Sequence, residues 1–434
     1  MTLLVITPDY ASHLYPLATL ATAWRDAGER VVVATGPATD HIVRDFGYER
    51  EHLQLGRGSN PGVIRAEDQP KGEDVALRGF FDATRRGAIA TLEFQAHARR
   101  SDLLWNPLGV ARDVLAVVDR VRPDHILVDH LAFAARIALG AAGRRHADVV
   151  LGHPSALTVG DEVYGLPPVF PDAIRPTETE LARLRGVCEA VRDGFTEQWN
   201  TALAALDPGA APTDDAFAET GDVLLLNYPG ELHADARASL LPRHAFLGSA
   251  VRSEPADIEV EAWLARDDRP IVYVSLGSFL SVRGDVLAAI AEALRPLDVR
   301  VALANGSTPR EALGRVPDSW LVREVLPQVR LLQRSALAIS HGGNNSVTEA
   351  LTASVPLLLL PMSTDQFAGA AALERAGLGE ALDPNSASPA EIALAAQRLL
   401  ALADPARSRL QALGESLVAT SGAERARAAM LEHV

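Results

Sequence analysis

The pattern that most restricts this chain's fold is a strand, helix, strand unit of about 35 residues that appears at the N-terminus and restarts in the second half. "LLVIT" (3–7) is an uninterrupted apolar run. Leu17, Leu20, Ala21 and Trp24 follow at i, i+3, i+4, i+7 spacing, Gly28 supplies a stop, and "VVVAT" (31–35) is the next run. Two such strands joined by one helix pair in parallel, and apolar runs without alternation mark strands covered on both faces. "DHILVDH" (124–130), "DVVLG" (148–152) and "DVLLLN" (222–227) extend this first sheet. "PIVYVSLGS" (270–278) opens a second, continued by "VRVALANG" (299–306), "ALAIS" (336–340) and "PLLLLP" (356–361).

A 434-residue chain exceeds what one core usually serves, so the two sheets imply two domains. Leu241–Asp257 lacks periodicity and carries Pro242 and Pro255, which places the linker there and the domains at 1–245 and 246–434. The terminal helix, about 414–434, is placed to pack back on the N-terminal domain. Two insertions are expected to shape a pocket: a mostly helical one at 75–121 and a mixed one at 155–215 with "YGLPPVFPDAIRP".

A net charge of -15 argues against a nucleic-acid or anionic-membrane partner, since both reward basic patches. One cysteine, Cys188, excludes an internal disulfide framework and a multi-cysteine metal site. The N-terminus "MTLLVITPDY" has no basic segment before a long apolar run, and no stretch approaches 18 apolar residues. A cytoplasmic protein without a membrane span is the expectation.

The stretch "AISHGGNNSVTEALTASVPLLLLPMSTDQ" (338–366) sets a polar cluster between two strand-like runs. His341 ends the strand "ALAIS", and Val347, Ala350 and Leu351 open a helix within a few residues. A strand-to-helix junction of this kind gathers free N–H groups and the positive end of the helix dipole, which suits an anion such as a phosphate. Gly342 and Gly343 permit close backbone approach. Asn345 and Ser346 can cap the helix or donate to phosphate oxygens, and Glu349, one turn in, can accept from ribose hydroxyls. Asp365 and Gln366 stand at the next strand's carboxyl end with acceptors and donors suited to sugar hydroxyls.

In order and spacing, "LPQ" (326–328), "HGGNNSVTEAL" (341–351), "VPLLLLP" (355–361) and "TDQFAGA" (364–370) resemble the donor-binding signature of the nucleotide-sugar-dependent UDP-glycosyltransferases. The resemblance extends to the first 35 residues, to "VDHLAFAA" (128–135) and to "PIVYVSLGS". It implies the GT-B fold, an α/β architecture of two Rossmann-like domains whose parallel sheets face each other across a cleft. The N-terminal domain would take the acceptor and the C-terminal domain the nucleotide sugar. By this resemblance His341, the turn Gly342–Asn344, Asn345, Ser346 and Ser278 lie on the diphosphate. Glu349 holds the ribose, Gln328 lies near base and ribose, and Asp365 and Gln366 hold the transferred sugar. Val325 stands where relatives often carry a base-stacking tryptophan, which keeps a thymidine diphosphate sugar open beside a uridine one.

A hydroxyl acceptor needs a general base that titrates near working pH, and histidine fits. His13 lies in "TPDYASHLYPLATLA", read as a loop before a helix starting at Pro16. In the resembled family a histidine there takes the acceptor proton and an aspartate orients it; Asp129, ending "HILVD", is at the matching place. Ser12 stands where relatives usually have glycine. Phe80, Phe81, Phe133 and His153 are candidate acceptor contacts, while His125 and His130 are read as structural or pocket residues. No Asp-x-Asp element sits at a strand end, so catalysis without a metal or other cofactor is expected, the helix N-terminus serving the leaving diphosphate.

These readings converge on an inverting transferase that moves a hexose, UDP-glucose favoured, to a small, partly apolar natural product, as monomer or homodimer. A retaining enzyme would usually carry a glutamate pair eight residues apart, whereas position 341 is histidine and only Glu349 is present. A nucleotide-sugar epimerase needs no base for an acceptor hydroxyl, and a non-catalytic binding protein needs no base at all.

Overall fold

The computed structural model describes residues 1–434, apart from the side chains of residues 100–102. Its first sheet contains β1 (Thr2–Ile6), β2 (Arg30–Thr35), β3 (Glu49–His52), β4 (His125–Asp129), β5 (Ala147–Val150), β6 (Val223–Leu226) and β7 (His244–Phe246), ordered β3-β2-β1-β4-β5-β6-β7. The second contains β8 (Ile271–Ser275), β9 (Arg300–Ala304), β10 (Leu321–Arg323), β11 (Leu337–Ser340), β12 (Leu357–Leu359) and β13 (Gly379–Ala381), ordered β10-β9-β8-β11-β12-β13. Every pairing is parallel.

Alternation along each strand explains the continuous apolar runs. Leu4 and Ile6 of β1 join Val32, Ala34, Ile126 and Val128 in a core on one face of the sheet, while Leu3 and Val5 join Val31, Val33 and Leu127 on the other. The second sheet divides the same way, with Val272, Val274, Val301 and Ile339 on one face and Ile271, Tyr273, Ala302 and Ala338 on the other. Each fully buried Val, Leu or Ile contributes roughly 1.5–3 kcal/mol, so both faces must be covered by helices. The four strands the apolar pattern does not mark, β3, β7, β10 and β13, flank the sheets and are half-exposed, with sequences such as "EREH".

In each sheet the strand order reverses at one place, between β1 and β4 and again between β8 and β11. The crevice outside the carboxyl ends at such a reversal is where ligands of open α/β sheets sit. His13 follows β1 and Asp129 ends β4, while Ser278 follows β8 and His341 follows β11.

Two local expectations need correction. His13 is not in a loop: the helix spans Ala11–Leu20, so His13 is in its first turn and Pro16 lies inside it. The tail is two helices. Ala406–Ala419 packs against the helix Asn344–Thr352 of the second domain. Gly422–His433, restarted by a Ser421/Glu424 capping box, puts Ala426, Ala429 and Met430 into the first domain's core. Among the described residues no helix is long and apolar enough to cross a membrane.

Candidate active site

The base wall starts at the ends of β1 and β4. Parallel register sets Ile6 beside Val128, and the chain then turns through Pro8 to Tyr10 into the helix that carries His13. His13 Nδ1 lies 2.7 Å from Asp129 Oδ2, with the two side chains 22 % and 2 % exposed. Asp129 Oδ1 accepts the Leu131 N–H at 2.9 Å, which fixes the carboxylate. With Nδ1–H donated to Asp129, Nε2 carries the lone pair, and it has no protein partner among the described residues. Burial would lower the imidazole's pKa, but the charge of Asp129 and its hydrogen bond overcome this and hold it above the ordinary 6.5.

The donor wall starts at the ends of β8 and β11. The His341 ring is pressed between two glycines: a Cβ at Gly277 (φ 70°) would lie 2.6 Å from Cε1, and one at Gly343 would lie 2.4 Å from Nε2. Burial drives this imidazole down to about 4, so it is neutral at pH 7. Positive potential here comes instead from the helix Asn344–Thr352, which has no side-chain cap and no acidic residue in its first turn. Elsewhere Thr177, Ser388 and Ser421 close their helices with capping boxes to a glutamate. One turn into the donor helix, Glu349 is buried. Its Oε1 accepts from Arg252 at 2.8 Å and its Oε2 from Gln328 at 2.5 Å. Burial raises the Glu349 pKa, Arg252 and Gln328 offsetting part of the effect. Tyr273 Oη donates to Gln328 Oε1 at 3.1 Å, extending the hydrogen-bond chain that runs from Arg252 through Glu349.

Several residues expected on the donor also hold the domains together. Asn344 Nδ2 donates to the carbonyls of Leu151 and Asn227 at 2.9 and 2.8 Å. Its carboxamide is committed to the opposite domain, and only its backbone N–H is left for a ligand in the cavity. Pro16 has no N–H for the carbonyl of Ser12, four residues back in the helix. Asn345 Nδ2 fills that place from the other domain at 2.9 Å. Asp365 Oδ2 accepts the His153 N–H at 2.5 Å, and its Oδ1 accepts from Thr364 Oγ1 at 2.8 Å. Thr364 itself has φ 48°, an unusual conformation for a β-branched residue, on the cavity wall. Gln366 Oε1 accepts the N–H groups of Met362 and Ser363, bracing that loop. Ser278 Oγ accepts from Asn60 Nδ2 at 3.2 Å.

Between the walls lies a cavity of about 870 Å³, lined by His13, Ser278, Val325, Gln328, His341, Gly343, Asn344, Asn345, Ser346, Glu349, Asp365 and Gln366. Gly342 is buried behind this wall, with its N–H on Ser340 Oγ, so it shapes the turn without reaching the cavity. Val325 is 61 % exposed at the rim. A second cavity of about 150 Å³ opens on His13 and Asp129 and is bounded by Leu131, Leu151, Tyr164 and Leu166.

The acceptor candidates divide. Phe80 lines the main cavity. Phe81 is buried and reaches neither cavity, because successive helical residues point about 100° apart. Phe133 is also a core residue, edge-on to Phe195 and Phe217. The His153 ring packs edge-on against Tyr228 and bonds Ser155, so only its backbone N–H serves the site. Burial and neighbouring cations hold that imidazole at about 3. His130 lines the second cavity and His125 is a buried strand residue.

Sequence reasoning missed Arg252, a linker residue that joins Glu349 to Glu254 and lies over the Tyr15 ring. It also missed Arg99, on the walls of both cavities, and Asn60. None stands in a recognisable motif. Among the described residues no group of three or more His, Cys, Asp or Glu is placed to hold a metal ion.

Two parallel Rossmann-like sheets with ligand-binding ends facing one cleft define a GT-B protein, and comparison with known proteins agrees. The family model described as UDP-glucoronosyl and UDP-glucosyl transferase matches residues 194–405. The UDP-glucosyltransferase YojK of Bacillus subtilis, itself uncharacterized, is 27% identical over 193 residues, 44% of this chain and 47% of that protein. The demethyllactenocin mycarosyltransferase of Streptomyces fradiae is 28% identical over 289 residues, 64% of this chain and 57% of that one. The match thus spans about half the length of such relatives. Among solved structures, the kitacinnamycin glycotransferase superposes with a TM-score of 0.68 at 21% identity, covering 99% of this chain and 98% of its own. VinC in complex with DTDP gives 0.65 at 18%, covering 100% and 99%. Residues 194–405 thus match the UDP-glycosyltransferase family, and the whole chain has the GT-B fold.

Proposed function

We propose that the protein is an inverting glycosyltransferase that moves a hexose from a nucleoside diphosphate to a hydroxyl of a small, partly apolar acceptor. The observation that carries this is the His13–Asp129 pair at 2.7 Å, on the same cavity as the uncapped helix Asn344–Thr352. The acceptor hydroxyl gives its proton to His13 Nε2 while its oxygen bonds to C1 of the sugar. The bond from C1 to the diphosphate oxygen breaks on the opposite face, so an α-linked donor yields a β-glycoside. Asp129 keeps Nδ1 protonated and stabilises the imidazolium that forms. Charge on the leaving diphosphate falls on the open first turn of the donor helix and the turn at Ser278, with neutral His341 as a hydrogen-bonding group. Glu349, positioned by Arg252 and Gln328, takes the ribose, and Asp365 and Gln366 take the sugar.

UDP-glucose is the favoured donor, with a thymidine diphosphate hexose as the alternative that Val325 leaves open. No metal is required in this reading. The test is nucleoside-diphosphate release from UDP- and TDP-sugars, with and without a mixed aglycone library and with EDTA, for wild type and His13→Ala. Acceptor-dependent, EDTA-resistant release that collapses in the variant is the expected result. Epimerised donor without acceptor, donor binding without release, or release undiminished by the substitution would overturn it.

A further inference from the structure

Two arginines reach the cavity between the domains, Arg252 and Arg99. Arg252 is held between Glu349 and Glu254. Arg99, on the helix Ala88–Asp102, has no carboxylate partner among the described residues. Glu93 of the same helix is taken by Arg183, and Asp365, which shares the wall, has its oxygens on His153 and Thr364. The Arg99 guanidinium rests instead on the Tyr164 ring, 4.9 Å from its centroid. Tyr164 is in turn stacked on Phe217 at 3.8 Å and 8°, so the platform is fixed. Gly165 (φ 90°) lies beside it, an Arg99 nitrogen standing 3.4 Å from where a Cβ would be.

Arg99 also lines the second cavity, the one that opens on His13. At about 150 Å³ this space suits a single aromatic ring. Leu131, Val150, Leu151 and Leu166 give it an apolar wall, with the carboxylates of Asp129 and Asp365 at its edges held by His13, Leu131, His153 and Thr364. His130 on the same wall is kept neutral by burial and by Arg136. Arg99 is therefore the one permanent cation on that wall among the described residues; its charge is felt at Asp365, but no carboxylate is hydrogen-bonded to it, and it shares the ring-sized cavity with the base.

We propose that Arg99 anchors a carboxylate on the acceptor, so that the preferred acceptor is a hydroxylated ring compound bearing an acid group, its hydroxyl at His13 and its carboxylate at Arg99. This rests on the transferase reading and names its acceptor class. A planar guanidinium meets a carboxylate through two parallel hydrogen bonds, stronger than neutral pairs.

The test compares 4-hydroxyphenylacetate and p-coumarate with their methyl esters, for wild type, Arg99→Gln and Arg99→Lys. It reads calorimetric binding to UDP-loaded protein and UDP release from UDP-glucose. Wild type is expected to favour each acid over its ester by about tenfold or more, from the usual strength of a charge-assisted bond. In Arg99→Gln the acids should fall to the ester level, with part of the preference kept in Arg99→Lys. Unchanged UDP affinity would show that the variants are folded. Equal binding of acid and ester to wild type, or an equal loss for both in Arg99→Gln, would overturn the proposal. So would an Arg99→Gln effect confined to UDP-glucuronate over UDP-glucose, which would put the carboxylate on the sugar. Should the transferase reading alone fail, the acid preference in binding would persist with no UDP release from any acceptor.

Discussion

The two walls of the cleft use one device, a parallel strand running into a helix at the switch point of its sheet, yet they are assembled differently. The donor wall is mostly local: His341, Gly343, Asn344, Asn345, Ser346 and Glu349 lie on one strand-to-helix junction, and Asp365 and Gln366 follow the adjacent strand. The base wall is non-local: His13 and Asp129 are 116 residues apart and meet because β1 and β4 are neighbours. The difference shows in their electrostatics. On the base wall one buried carboxylate raises an imidazole, and on the donor wall burial without a charge partner lowers one. One histidine is paired with an anion, and the other is left beside a helix end, the division that the proposed roles of base and diphosphate contact would need.

That contrast predicts separable losses. The largest is on the base wall. His13→Ala should lower kcat by about 10²–10⁴-fold, the usual range for a general base, with nucleoside-diphosphate affinity within about twofold by calorimetry. Asp129→Asn should follow with a smaller loss of the same kind, by freeing the ring to adopt the other tautomer. A large drop in nucleotide affinity in either variant would break the division of labour.

On the donor wall, Gly343→Ala puts a methyl 2.4 Å from His341 Nε2 in the observed conformation. The ring or the turn must move. Donor KM should rise by about tenfold or more, corresponding to roughly 1.4 kcal/mol, while acceptor affinity measured on the donor-free protein stays near wild type.

The pH dependence sharpens the comparison further. Protonated His13 cannot accept a proton, so kcat/KM should fall as pH drops through a pKa above 6.5, with the acid limb absent from residual activity in His13→Gln. Stability runs the other way. A raised folded-state pKa contributes stability that is fully present below the unfolded value near 6.5 and is lost as pH rises through the folded one. His13→Gln should therefore cost more in melting temperature at pH 6 than at pH 8.5. His341 contributes with the opposite sign and in a lower window: with its folded-state pKa depressed to about 4, it costs stability as pH falls below the unfolded value near 6.5.

The smallest effect tests the contact that joins the walls. Asn345→Ala removes a hydrogen bond to Ser12, costing about 0.5–1.5 kcal/mol in denaturant unfolding. Pro16→Ala restores an N–H that can take the same carbonyl, so the double variant should lose less than the sum of the singles. Additive losses would mean that Asn345 and Pro16 do not share that carbonyl.

Sequence by itself determined the layered architecture and the position of the polar junction at 341–349. Strands buried on both faces must be continuous apolar runs, so β1, β2, β4, β5, β6, β8, β9, β11 and β12 could be read directly. The glycine and amide residues that an anion-binding junction would use are consecutive in the chain, so the cluster was legible from its spacing. Flanking strands such as "EREH" carry no such demand, and β7 lies within what reads as linker. Only the tertiary structure decided that His13 is helical, that Asn344 and Asn345 clasp the opposite domain, and that Phe80 lines the cleft while Phe81 and Phe133 fill the core. It alone brought Arg252 to Glu349 and left Arg99 on the cavity wall. The reason is physical: periodicity records which face of an element is buried, whereas which distant elements become neighbours follows from strand order and packing, and no short stretch of sequence encodes that.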